Sequence, residues 1–230
     1  MPSHDDDIER TISIQAQQVR LDGTLGIPDA ATGVVLFAHG SGSSRFSTRN
    51  RFVARVFRHA GLATLLLDLL SPEEEAVDEI TRHHRFDIPL LGNRLVRAID
   101  WLGEQPETRA LPVGLFGAST GGGAALVAAA ERPARVGAVV SRGGRPDLAG
   151  DALPRVEAPT LLIVGGRDDV VISLNEQAMR RMRTEVRLEI VPGATHLFEE
   201  PGTLEQVAAL ARDWFLSHLL APARRARVET

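Results

Sequence analysis

Five short, almost uninterrupted apolar runs recur along the chain: VVLFA after Gly33, LATLLL after Gly61, VGLFG after Pro112, VGAVV after Arg135 and TLLIV after Pro159. A strand with one wet face alternates polar and apolar residues, whereas a strand covered on both faces does not, and that is how a parallel sheet reads. A sixth run, VRLEIV at 186–191, is more mixed. Amphipathic helical segments separate the runs: RNRFVARVFRHAG, PLLGNRLVRAIDWLGEQ, TGGGAALVAAAERP, LNEQAMRRM and LEQVAALARDWFLSHLL. Regular alternation of strand and helix calls for right-handed crossovers and helices on both faces of the sheet. Ahead of these, TISIQAQ and VRLDGTLGI alternate with period two and stop at Pro28, which predicts two half-exposed antiparallel strands at a sheet edge. The expected fold is therefore a three-layer α/β sandwich with a mostly parallel central sheet.

A chain of 230 residues suits one such domain. No repeat, low-complexity linker or shift in composition divides it, so 1–230 is read as a single domain with flexible ends at 1–10 and 222–230. A net charge of −4 offers no field for a nucleic-acid backbone, and the basic RRAR near the C-terminus reads as a solvated tail. The sequence contains no cysteine, which excludes a disulfide framework, thiolate metal ligation and a cysteine nucleophile. The polar start MPSHDDDIER lacks the features of a signal peptide, and no apolar run reaches membrane-spanning length. The expectation is a cytoplasmic protein with no membrane or nucleic-acid partner. Neither a metal nor an organic cofactor is expected, since HExxH, an EF-hand loop and a Walker lysine are all missing.

In a sheet of this kind ligands bind beyond the carboxyl ends of the strands. LFGASTGGG places Ser119 between Gly117 and Gly121 at a strand-to-helix turn, the setting in which Gly-x-Ser-x-Gly forms a nucleophile elbow. A serine hydroxyl needs a base, and His196 in PGATHLF follows the last strand. His83 and His84, in TRHHRF, are its competitors. The base needs an orienting carboxylate, for which Asp168 in GGRDD precedes Asp169, a turn or capping residue. Asp68 ends a strand but precedes the serine and is read as structural. Oxyanion donors are expected from the amide of Thr120 and from that of Gly40 or Ser41 in FAHGSGSSRF, with His39 ordering that loop.

The set HGSGSSR, GASTG, GGRDD and GATH, in this order and over almost the whole chain, resembles the α/β-hydrolase superfamily, and within it the small capless enzymes of the dienelactone hydrolase type. That type characteristically carries a cysteine in the elbow, where this chain has Ser119. The resemblance implies a serine hydrolase with the triad Ser119, Asp168 and His196, no large cap domain, no cofactor and a small-molecule ester substrate. Short-chain carboxylic esters or lactones are the expected substrates. The alternatives are a non-hydrolytic binding protein on the same fold, and an acyltransferase or perhydrolase using the same triad.

The stretch SRGGRPDLAGDALPRVEAP, under about 20 residues, is too short for a helical cap, so an open site is expected. Arg45 and Arg142 follow strand ends near that site. Each is read either as a substrate-binding residue facing a carboxylate or phosphate, or as one half of an ion pair with Asp147 or another acid.

Overall fold

The computed structural model describes residues 9–219. Strands β1 (Glu9–Ala16) and β2 (Val19–Gly26) form the expected antiparallel pair. They are followed by β3 (Val34–Ala38), α1 (Thr48–His59), β4 (Ala63–Leu67), α2 (Pro72–Thr81) and α3 (Ile88–Glu104). The remainder runs β5 (Val113–Ala118), α4 (Thr120–Glu131), β6 (Val136–Arg142), β7 (Thr160–Gly165), α5 (Asp169–Met179), β8 (Val186–Val191) and α6 (Thr203–Leu219). The eight strands make one sheet in the order β1-β2-β4-β3-β5-β6-β7-β8. Pairing is antiparallel from β1 through β2 to β4 and parallel from there to β8. This is an α/β-hydrolase fold without a cap domain. Among the described residues no helix is long and apolar enough to cross a membrane.

The apolar runs work as two-sided strands because side chains alternate between faces. From β3, Val34, Leu36 and Ala38 enter one core with α3 and α4, while Val35 and Phe37 enter a second core with α1 and α6. That second core is organised by Phe37, Phe57, Phe116 and Phe215, whose ring centroids lie 5.0–5.8 Å apart in tilted and edge-on pairs. Such contacts add about 0.5–1.5 kcal/mol each beyond the area they bury.

Three local readings change. Helix α2 lies where no helix was expected, and α5 starts at Asp169 rather than Leu174. Glu9 and Arg10, grouped by the sequence with a flexible end, are the first residues of β1, and Glu9 pairs with the buried Arg58 at 2.8 Å. The remaining end segments assigned in that reading, 1–8 and 222–230, lie outside the described residues. The stretch after β6 folds as 3₁₀ turns over Pro146–Arg155, with Ala149, Ala152 and Leu153 buried beside α4 and α5, and builds no lid.

Candidate active site

The turn from β5 to α4 leaves Ser119 at φ 50° and ψ −123°, a conformation that costs a residue with a Cβ about 1–3 kcal/mol. Its neighbours impose it. A Cβ on Gly117 would lie 2.5 Å from the Gly121 carbonyl oxygen, and one on Gly121 would run into the Ala38 carbonyl oxygen. Strand β3 and the first turn of α4 therefore meet backbone to backbone, and the sharp bend follows. Serine at a helix N-cap ordinarily accepts a hydrogen bond from a first-turn amide on its side-chain oxygen. Ser119 makes no such bond. Its hydroxyl is unspent.

Asp168 is likewise an N-cap residue, of α5, whose carboxylate caps nothing. Oδ2 instead accepts a hydrogen bond from Nδ1 of His196 at 2.7 Å. Backbone bonds stitch the two loops together, from the Gly166 amide to the Val191 carbonyl at 2.8 Å and from the Arg167 amide to the Ala194 carbonyl at 2.9 Å. With Nδ1 donating to a carboxylate, the imidazole leaves Nε2 as its basic nitrogen. Its side chain is 39% exposed, against 17% for Asp168, so water reaches the ring. The end of β6 connects this pair to the elbow. The Ser119 amide donates to the Arg142 carbonyl at 3.4 Å, and the next residue, Gly143 at φ +51°, packs against the His196 backbone and ring.

On the other side of the elbow, Gly40 lies against Ser119, and the Ser41 amide donates to Thr120 Oγ1 at 3.1 Å. Thr120 opens α4, where first-turn amides have no acceptor within the helix. Of the two loop amides assigned to the oxyanion, that of Ser41 is thus already engaged by the Thr120 side chain. His39 holds the loop from below. Its Nε2 accepts from the Leu69 amide at 3.0 Å, and Nδ1 donates to the Gly40 carbonyl at 2.9 Å, which fixes a neutral ring.

Burial drives the His39 pKa below its ordinary 6.5, although the Gly40 carbonyl and the Asp68 and Glu75 charges pull it upward. Below about 6.5 the unfolded chain takes up a proton that the folded ring refuses, so stability is full above that pH and is lost as the pH falls. We expect the Tm of the parent to drop between pH 6.5 and 5 more steeply than that of His39→Gln, in thermal scans at matched salt. Equal slopes would remove His39 from this role.

Arg45 does not stand free. Its amide donates to Asp68 Oδ1 at 2.6 Å, its guanidinium bonds Asp68 Oδ2, and Asp22 lies 3.7 Å away. Its charge is taken up by the protein's own carboxylates, the alternative the sequence left open. Asp147 pairs with Arg145 at 2.7–2.8 Å, so it is no partner of Arg142. Arg142 is buried, reaches only Asn50 Oδ1, at 3.4 Å, among the described residues, and has its pKa pushed down to about 10 by burial and by the Arg49 charge.

Asp169 lies exposed in the first turn of α5, where a carboxylate complements the helix dipole. His83 and His84 stack edge-on with each other, and the His84 amide is tied to the buried carboxylate of Asp78 at 2.6 Å. Among the described residues, neither ring is hydrogen-bonded to Asp168, which is what sets His196 apart; none of the three rings is hydrogen-bonded to Ser119. Two arginines near the site escaped the sequence reading. Arg85, clamped by Asp78, lines a small crevice with Gly40, Ser41 and Thr120. Arg49 stands in the first turn of α1 beside Arg142. An arginine pair split between α1 and β6 leaves no local pattern to read.

The model of the dienelactone hydrolase family matches residues 21–218. The chain belongs to the dienelactone hydrolase family. A dienelactone hydrolase from Anabaena variabilis is 64% identical and superposes with a TM-score of 0.90, covering 92% of this chain and 98% of that one. A Mycobacterium tuberculosis protein provisionally named phosphoribosyl transferase, present in two strains, is 59% identical over 214 residues. These cover 93% of this chain but 47% of the relative, so the dienelactone hydrolase-family chain spans about half the length of the curated proteins it matches. Est1E of Butyrivibrio proteoclasticus superposes at a TM-score of 0.77 over 92% of this chain and 99% of its own, with 15% identity, a likeness of fold alone.

Proposed function

We propose that this dienelactone hydrolase-family chain is a serine hydrolase that cleaves short-chain carboxylic esters or lactones through an acyl-enzyme. The observation that carries this reading is the strained Ser119, whose hydroxyl caps nothing, on an elbow linked through the end of β6 to a His196 already oriented by Asp168. Ser119 Oγ attacks the carbonyl carbon while His196 Nε2 takes its proton. The amides of Thr120 and of Gly40, or of Ser41 once Thr120 Oγ1 releases it, receive the negative oxygen, and Asp168 stabilises the imidazolium. His196 then protonates the leaving alkoxide. Water, deprotonated by the same nitrogen, releases the acid and restores the serine.

A fluorophosphonate probe tests the nucleophile directly. The adduct is expected on the peptide holding Ser119 and is expected to be lost in Ser119→Ala; labelling elsewhere, or none, sinks the reading. Substrate size follows from the stretch after β6, which folds back beside α4 and α5 and builds no lid. An uncovered site buries little of a long alkyl chain, which then forgoes the roughly 0.8 kcal/mol that each buried methylene yields. With p-nitrophenyl acetate, butyrate and decanoate, kcat/KM should stop rising by butyrate. A clear preference for decanoate contradicts it. Added alcohol or peroxide should divert little product, which separates hydrolysis from acyl transfer to other acceptors.

The transferase name belongs to proteins about twice as long, and we read its chemistry as lying outside the matched half.

A further inference from the structure

Arg142 ends β6, one residue from the contact with His196, and its side chain passes beneath the first turn of α1. It is 7% exposed. A buried guanidinium is normally met by a carboxylate, because taking its charge out of water without a counter-charge costs several kcal/mol. Here the neighbouring charge is another guanidinium, that of Arg49. Nε and Nη1 of Arg142 and Nε of Arg49 are buried and find no acceptor among the described residues. Among the described residues the one carboxylate that meets either guanidinium is Glu199, just past His196, at 3.3 Å from Arg49 Nη1. Glu199 is 63% exposed and Arg49 33%, so this pair is a solvent-screened outer closure that a ligand can displace.

We propose that Arg142 and Arg49 form an anion-binding subsite of the Ser119 site and that its ligand is the phosphate group of a phosphorylated ester. The three orphaned donor nitrogens, two on Arg142 and one on Arg49, suit a group with several terminal oxygens. Two guanidiniums, of which only Arg49 is met by the displaceable Glu199, suit a dianion. The phosphate replaces Glu199 on Arg49 and supplies the counter-charge Arg142 lacks. The ester carbonyl then lies toward Ser119, across the Arg142–Gly143 backbone that touches both Ser119 and His196. This role in turnover rests on the hydrolase reading above; the binding itself does not.

The test is titration of inorganic phosphate into the full chain by calorimetry, at about pH 8 where the dianion dominates. Acetate serves as the carboxylate arm. The proteins are the parent, Ser119→Ala, Arg49→Ala and Arg142→Gln. The parent and Ser119→Ala should bind phosphate equally, the two arginine variants at least ~10-fold more weakly, and acetate at least ~10-fold more weakly than phosphate in the parent. Arg49 is one-third exposed, so Arg49→Ala keeps the test open should Arg142→Gln fail to fold. No saturable phosphate binding in the parent, or parent-like affinity in Arg49→Ala, overturns the site. Acetate binding as tightly as phosphate overturns the phosphate assignment. Ester hydrolysis without phosphate binding would sink this inference alone, whereas phosphate binding without fluorophosphonate labelling would sink the hydrolase reading and leave the site standing.

Discussion

Ser119→Ala is expected to lower ester turnover by ~10⁴- to 10⁶-fold, the range seen when the nucleophile of a triad is removed. The fold should survive, since Oγ makes no capping bond and alanine keeps the same Cβ against Gly40. The Tm of the alanine variant should therefore stay within a few degrees of the parent. Ser119→Gly should be equally inactive but more stable, because glycine at φ 50° is free of the strain of about 1–3 kcal/mol that serine and alanine both carry. Turnover and thermal melts on the three proteins check both halves. Turnover within tenfold of the parent in Ser119→Ala would overturn the nucleophile, and a Ser119→Gly variant less stable than the alanine one would overturn the account of strain.

The second large effect belongs to Asp168. Replacement by asparagine should lower kcat by ~10³- to 10⁴-fold, since the amide holds the His196 ring but favours the tautomer whose Nε2 is protonated and cannot act as base. The 2.7 Å contact makes this substitution nearly isosteric, so KM should change far less than kcat. Asp169→Asn, next in sequence but exposed in the first turn of α5, should change kcat less than about tenfold. Reversal of that ranking would shift the acid by one residue.

The parallel strands were legible because they are buried on both faces, which removes polar alternation from VVLFA, VGLFG and TLLIV. Helix α2 was not, because PEEEAVDEIT has no apolar face to bury. Val77 and Ile80 lie exposed, and its one buried residue is Asp78. The readable signal was a capping box: Ser71 accepts from the Glu74 amide, and Glu74 accepts from that of Ser71. The start of α5 was hidden by the β-branched run VVI, which reads as strand. At the site, the pairing of His196 with Asp168 could be anticipated from chain order and strand ends. The fates of Arg45 and Arg142 could not, since each depends on whether a carboxylate from a distant element arrives. Asp68 arrives at Arg45, and among the described residues none arrives at Arg142.

The order of the sheet also sets an order in time. From β5 the parallel strands are laid down in sequence from the middle of the sheet to its edge, with Ser119 leaving β5, Asp168 leaving β7 and His196 leaving β8. During vectorial synthesis the proposed nucleophile is made first and the proposed base last. A nascent chain halted just before residue 196 already carries all eight strands and the elbow, yet lacks the histidine proposed as general base. On the proposed triad, hydrolytic competence in the growing chain therefore waits on the loop that follows the edge strand β8.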